Sequence, residues 1–450
     1  MGRDRDVIPL REATRAWASI AAQTFGGPAG QIAVMQHKLV DELRWIGQRR
    51  FLHALNYCML LPGPEAQQLA IYTGWLLNGT AGGLIAGTLF VLPGVVALLA
   101  LSAIYVGFGD VGVVSAVFAG IGPAVIAIVL QAVVRVGSRA LRHRLLVGLA
   151  VLAFVALAVL RVPFPVVVLG SGVIGWLLGL RLRELGEPKE HGTTDGPAPL
   201  VSDDLLHHSR PSPRRTLALF GGGAVVWLAP VAVLALVLGR GSTIVDEGVF
   251  FSGTALVTFG GAYAVLSYVA QQAVHVYGWL APNEMVRGLG LAESTPGPLI
   301  MVVQFVAFLG AYRSPGSLDP WVAAVVGSFT VTWVTFVPCF VLVLGGAPYV
   351  ERLRANRHLT AALTAITAAV VGVIANLAVF FAVHTLFTRT RTLVRGPVHV
   401  ELPVLGAASG EAFALTAACL VAMFGLRWGP LRVLGLGAGS GVAWWLVSLL

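Results

Sequence analysis

The residues best placed to do chemistry in this sequence are two glycine–proline cassettes and the ionisable side chains beside them. Thr24-Phe25-Gly26-Gly27-Pro28 is followed by Pro62-Gly63-Pro64, and Thr258-Phe259-Gly260-Gly261-Ala262 by Pro296-Gly297-Pro298. In each copy the first proline of Pro-Gly-Pro lies 37 residues beyond the phenylalanine, so the copies superpose without a gap. Trp45 then falls on Trp279 and Leu55 on Leu289. Proline removes a backbone donor and clashes with the preceding turn, while glycine accepts the dihedrals that follow. Inside apolar segments such runs break helices. A broken helix presents free N–H groups and a positive dipole end, which together make an anion site. Glu65 directly follows the first Pro-Gly-Pro and Glu293 precedes the second by three residues. Each acid is either a proton carrier or a cap on a helix that starts nearby. Arg287, at the repeat position of His53, either neutralises a bound dianion or snorkels to the cytoplasmic surface. Gln67, Gln68 and Tyr72 in the first half, and Tyr263, Tyr268, Gln271 and Gln304 in the second, are the polar neighbours.

The elements that position these residues are apolar helices. Of the 450 residues 57% are hydrophobic and 11% charged, with a mean hydropathy of +0.83. A soluble domain carries about 25% charged residues, so the composition is that of a protein solvated by lipid. The net charge of +9 sits in short loops between apolar runs, as topology signals do, and not on a face that would track nucleic acid. Cys58, Cys339 and Cys419 lie singly in apolar segments and read as small buried residues. Without a Cys pair, a haem-attachment motif or a dinucleotide fingerprint, no cofactor or metal is expected, and a membrane-embedded reductase is disfavoured. No Walker-type phosphate loop offers direct ATP drive. Met1 to Arg15 has no signal-peptide pattern, and the Asn78-Gly79-Thr80 sequon sits in a tight turn.

Hydropathy predicts an all-α polytopic membrane protein of about 13 transmembrane helices: 13–38, 51–77, 79–107, 110–136, 143–160, 164–181, 216–239, 246–272, 284–311, 319–345, 359–387, 403–426 and 429–449. Residues 1–181 form a first repeat, 182–215 a disordered cytoplasmic loop holding His207-His208, 216–239 a connector span, and 240–450 a second repeat. The cassettes start seven spans apart, an odd number, so the two repeats enter the membrane from opposite faces, as in many secondary transporters. With the N-terminus in the cytoplasm, 20 of the 30 Lys and Arg fall inside. The exceptions around Lys38–Arg50 mean either that spans 1 and 2 are re-entrant or that these bases serve a substrate. Phe90-Val91-Leu92-Pro93 against Phe336-Val337-Pro338 is a further echo of the repeat, shifted by a short insertion near Pro315–Pro320.

Phe25-Gly26-Gly27-Pro28, Leu61-Pro62-Gly63-Pro64-Glu65-Ala66 with Gln68-Leu69-Ala70-Ile71-Tyr72, Phe259-Gly260-Gly261-Ala262-Tyr263 and Ala292-Glu293-Ser294-Thr295-Pro296-Gly297-Pro298-Leu299 resemble the chromate ion transporter family in its long two-domain form. The second copy has Ala262 where the first has Pro28, so the halves are not interchangeable. The resemblance implies a multi-pass protein of the bacterial inner membrane that exports chromate, with proton antiport as the proposed drive. Sulfate is a similar tetrahedral dianion that the sequence does not discriminate from chromate; the oxyanion is expected at the broken helix ends and their polar neighbours, Phe25 to Pro28, Pro62 to Pro64, Gln68, Phe259 to Gly261, Tyr263, Arg287 and Pro296 to Pro298. The bilayer is the other partner, nucleic acid is not one, and a homodimer is compatible with the sequence.

Overall fold

The computed structural model describes residues 7–109, 111–181, 199–201, 206, 212–349, 356–396 and 398–449. Most of the stretch 182–215, including His207 and His208, lies outside the described residues.

The first half contains α1 (Leu10–Gln23), α2 (Gly27–Gln36), α3 (Gln48–Cys58), α4 (Glu65–Phe108), α5 (Gly112–Ala140), α6 (Arg144–Ala158) and α7 (Phe164–Arg181). Then come α8 (Pro213–Leu238), α9 (Thr243–Val257), α10 (Ala262–Gln271), α11 (Pro282–Ser294), α12 (Val302–Arg313), α13 (Pro320–Gly346), α14 (Arg357–Leu386), α15 (Gly410–Leu420) and α16 (Pro430–Ser448). A two-stranded antiparallel hairpin, β1 (Thr390–Arg395) and β2 (Val398–Pro403), joins α14 to α15. Among the described residues the chain is helical throughout, as an all-α membrane protein should be, apart from this small hairpin, where Thr and Val on either side of Gly396 favour extended pairing over a bare loop.

The cassettes do break helices, and the chain then doubles back. A straight helix would separate Phe250 from Tyr268 by about 27 Å, yet their ring centroids are 5.3 Å apart. Across the first Pro-Gly-Pro, Tyr57 and Tyr72 pair at 5.1 Å. Across the second, a Cβ built on Gly288 would lie 2.5 Å from the Phe305 ring. The ends of the α1–α2 pair are held at the same end of the molecule, since Val7 N donates to Leu77 O (3.1 Å) and Gln36 Nε2 to Gln48 Oε1 (3.2 Å). Segments 13–38, 51–77, 246–272 and 284–311 are therefore helical hairpins, which corrects the reading of thirteen single spans. Hydropathy registers the apolar length, but the direction taken after the break is set by glycines with positive φ: Gly26 (80°) and Gly63 (126°) in one half, Gly260 (77°) and Gly297 (104°) in the other. Among the described residues, six helices are long and apolar enough to cross a membrane: α4, α5, α8, α13 with its terminal turn, α14 and α16. Four shorter apolar stretches, 144–158, 164–179, 299–313 and 410–425, accompany them. Within α4, Asn78 and Gly79 leave helical dihedrals, and Gly74 packs on Gly82, so the first arm folds against the second.

The repeat is visible at the level of single hydrogen bonds. Trp45 N donates to Leu39 O, and its counterpart Trp279 N to Ala273 O (2.9 and 2.8 Å). The turns after α6 and after α15 share a cap, with Arg161 and Arg427 at positive φ (50° and 56°). Packing crosses between the halves. α14 lies along α6 and α7, while α5 lies along α15 and α16. Small residues allow the approach: Gly175 meets Ala361 and Ala365, Gly120 meets Gly437 and Gly441, and Gly372 meets the Ala150 carbonyl. Gly372→Val places a side chain into that carbonyl and the Phe154 N–H. We expect a loss of about 1–3 kcal/mol, read as a lower melting temperature in detergent, while Gly148→Val, with nothing near its Cβ, leaves melting unchanged.

Candidate functional site

The four hairpin tips meet in the interior, and each Pro-Gly-Pro is tied to the Phe-Gly-Gly of the other half. Gly63 N donates to Thr258 O (2.7 Å), and Gly297 N donates to Thr24 O (3.0 Å). The bonded pairs are repeat equivalents, so the two contacts are one contact made twice. The long helices close the arrangement in the same reciprocal way. A Cβ on Gly63 would lie 2.8 Å from Cys339 Sγ on α13, and one on Gly94 of α4 would lie 2.8 Å from Pro296 O. Pro93-Gly94 and Pro338-Cys339 thus occupy matching places, consistent with the sequence echo that joins them.

Each second glycine faces an acid system of the other half. A Cβ on Gly27 would lie 3.9 Å from the Tyr263 hydroxyl, which hydrogen-bonds Glu293 Oε1. A Cβ on Gly261 would lie 3.7 Å from Glu65 Oε1. Glu65 opens α4 directly after Pro64, where an acid suits the helix dipole. Glu293 stands in the last turn of α11, the wrong end for a cap, and is 1% exposed with Oε2 unpartnered. Its placement costs energy that no backbone donor offsets.

A small cavity opens beside the tips, lined in part by Gly26, Gly27, Pro28, Gln131, Arg135 and Tyr263. α2 begins there with Gly26 as its N-cap, and no side chain caps it. Pro28 has no N–H, but those of Gly27 and Ala29 in the first turn carry no side-chain cap and can serve an anion. Arg135 on α5 reaches the same cavity and donates to Gln131 Oε1 (2.8 Å). Sequence reasoning missed Arg135 because it stands in a row of basic residues, Arg135 to Arg144, that reads as a topology signal. Gln31 was missed as well; its amide donates to Gly297 O and leaves Oε1 unpartnered. Gln67 and Gln68 also hold buried, unpartnered polar atoms near the first Pro-Gly-Pro. Such atoms are rare in folded proteins and collect where water or a ligand belongs.

The other sequence candidates divide. Phe25, Pro62, Pro64, Phe259, Gly260, Pro296 and Pro298 sit in the tips themselves, and Gln68 Nε2 donates to Pro62 O (2.7 Å), holding the tip's shape. Arg287 belongs to a different group. It donates to Tyr105 Oη (3.2 Å), Tyr105 donates to Glu284 Oε1 (3.1 Å), and Arg313 forks onto both Glu284 oxygens (2.6 and 2.8 Å). That network lies toward the opposite end of α11 from Glu293, with Arg287 about 9 Å and Glu284 about 13.5 Å away along the helix axis. Among the described residues no cluster of His, Cys, Asp or Glu is arranged to hold a metal.

A profile of the chromate transporter family matches residues 11–176 and 246–442, which leaves out the end of α7, α8 and the stretch between them. The chain is 32% identical over 357 residues to a chromate transport protein of Pseudomonas aeruginosa, covering 78% of this chain and 76% of that one. It is 26% identical to a chromate transport protein of Cupriavidus metallidurans (81% and 80% covered) and 26% identical to a probable chromate transport protein of Synechococcus elongatus (81% and 83%). No solved structure matches. With both cassettes inside the matched segments and its apolar helices around them, the chain belongs to the chromate transporter family and is a multi-pass membrane transport protein, not an enzyme.

Proposed function

We propose that this protein carries chromate out of the cytoplasm as a secondary transporter, with the dianion held between the hairpin tips. The observation that carries the reading is the reciprocal pair of contacts, Gly63 N to Thr258 O and Gly297 N to Thr24 O, beside an uncapped helix start and Arg135. Residues in irregular backbone at mid-membrane persist where they are buried in protein or line a wet cavity. The tips do both.

In this reading the two halves are inverted repeats. The second arm of α4, then α5, α6, α7 and α8, run back and forth between the two cassettes. Five passages, an odd number, put the hairpin openings on opposite faces. The contact of His275 with Glu401 (3.5 Å) and that of Leu200 N with Arg44 O (2.8 Å) agree with such an arrangement. Lys38, Arg44, Arg49 and Arg50, the exceptions to the positive-inside bias, then share the face of the N-terminus, which we assign to the cytoplasm. The membrane is a bacterial inner membrane.

Outward movement follows from charge. With the cytoplasm negative, two negative charges leaving gain about 4.6 kcal/mol at 100 mV, at about 2.3 kcal/mol per charge. Exchange against entering protons adds to that drive. Glu293, hydrogen-bonded to Tyr263 at the tip of the other half's Gly27, is the proposed proton carrier, and Glu65 its partner beside Gly261. Radiolabelled chromate flux into everted vesicles, with and without a pH gradient and with sulfate as competitor, tests cargo, direction and coupling together. Flux that sulfate abolishes at equal concentration would make the cargo a general tetrahedral oxyanion. Arg135→Gln removes one charged hydrogen-bond donor, worth about 1.5–3 kcal/mol. Half-saturation by chromate is therefore expected to rise about 10- to 100-fold, with less change in maximal rate.

A further inference from the structure

Glu247 is a buried acid that the cassettes do not account for. It lies one turn into α9, is fully shielded from solvent, and neither carboxyl oxygen has a hydrogen-bond partner among the described residues. Two glycines leave the space it occupies. Gly310 of α12 comes so close that a Cβ there would collide with Oε1, and a Cβ on Gly327 of α13 would lie 3.1 Å from Oε2. In the repeat register the equivalent position is Ala13, a buried apolar residue, so this acid belongs to one half only.

The charged groups around it are all engaged or distant. Asp246 on the same helix and Arg240 in the turn before it are both exposed. From α11 and α12 the nearest are Glu284 and Arg313, which are paired to each other, with Arg313 also reaching Trp279 O (3.3 Å). Trp279, whose carbonyl Arg313 reaches, also packs on Gly310 beside Glu247. Tyr105 of α4 and Arg287 complete that network. α8 carries only Arg214 and Arg215, at its far end, and α13 has no charged residue beyond the Asp319 that caps it. On the inner side stand buried Ser328, which donates to Gln304 O (3.3 Å), and Gln304, which donates to Val95 O (3.1 Å) and keeps Oε1 unpartnered. Gln304 stands close to the second Pro-Gly-Pro in the chain, and Val95 follows Gly94, which touches it. Along α12, Gln304 on the tip side, the Gly310 niche that holds Glu247, and Arg313 on the Glu284 side follow one another.

We infer that Glu247 is a proton-binding site on the route between the face bearing Glu284 and Arg313 and the oxyanion site. An isolated carboxylate in an apolar interior is far costlier than the neutral acid, and intramembrane acids of this kind mark proton relays. The site binds a proton reversibly: the carboxylate takes one up from the Glu284–Arg313 side and releases it toward the tip, with no other bond made or broken. The inference rests on the transport reading for its role in coupling, but the protonation itself is independent of the cargo.

Two measurements on the full-length protein separate these. Infrared difference spectra of the purified wild type across a pH titration should contain a protonated-carboxyl stretch that vanishes in Glu247→Gln and shifts in Glu247→Asp. In everted vesicles, Glu247→Gln should bind chromate as the wild type does but lose most of the several-fold stimulation by a pH gradient. Carbodiimide modification of the wild type, mapped by peptide mass, should label Glu247, which guards against a variant that fails to insert. A spectrum without a carboxyl band assignable to Glu247, or a pH response unchanged in Glu247→Gln, overturns the inference. A wild type that shows the band but moves no chromate leaves the proton site standing and refutes the cargo.

Discussion

Gly63→Val is expected to abolish chromate flux while leaving the protein in the membrane at near wild-type amount. Gly63 sits at φ 126°, a region closed to β-branched residues. Strain of this kind costs about 1–3 kcal/mol. Space is the harder limit, for a Cβ would stand 2.7 Å from Gln68 Nε2 and 2.8 Å from Cys339 Sγ. The side chain would prise the tip from α13 and draw Gly63 N away from Thr258 O. The apolar helices around it would still insert. Gly297→Val should act alike, since φ is 104° and the α4 backbone at Gly94 lies 3.3 Å from its Cβ position. Flux in vesicles normalised to protein by immunoblot checks both; activity above about a tenth of wild type in either variant would mean that the tips do not have to hold this shape.

The second large effect concerns coupling. Glu293→Gln should make chromate flux insensitive to a pH gradient while a membrane potential still drives it. The amide matches the acid in shape and can accept from the Tyr263 hydroxyl, so the tip's geometry is kept and only the exchangeable proton is removed. Glu293 Oε2 has no partner among the described residues and does not cap a helix, which leaves no structural task for the charge. The check is the ratio of initial rates with and without an imposed gradient. A ratio equal to that of the wild type would reassign the coupling away from Glu293.

Much of this architecture was legible because the repeat is written in residues that change backbone direction. Glycine and proline at fixed spacing set the register of the two halves, which makes Thr24 the equivalent of Thr258 and Gly63 of Gly297; in that register the hydrogen bonds Gly63 N to Thr258 O and Gly297 N to Thr24 O are the same contact. What hydropathy could not convey was the course after each break. An apolar segment of about 26 residues crosses a bilayer or enters and returns with the same composition, and only the dihedrals at Gly26, Gly63, Gly260 and Gly297 distinguish the two. Because two such hairpins lie between the cassette starts, the passages between them fall from seven to five, and the number stays odd. Arg135 was hidden by position, since a basic residue near a helix end looks like an orientation signal. Glu247 was hidden by the lack of a motif, and only its unpartnered oxygens set it apart. The β-hairpin had a signal, alternating Thr, Val and charged residues about Gly396, overshadowed by the apolar runs on either side.

The exchange of partners between the halves bears on how the chain is made. Gly63 N finds its acceptor at Thr258, and α5 its close-packed neighbour in α16, so both partners of the first half are still unmade when that half leaves the ribosome. In hydrocarbon an unpaired backbone group has no water to fall back on. Biogenesis is therefore a two-stage closure in which early hairpins must be sheltered, by the translocon or by one another, until the last helices arrive to lock them.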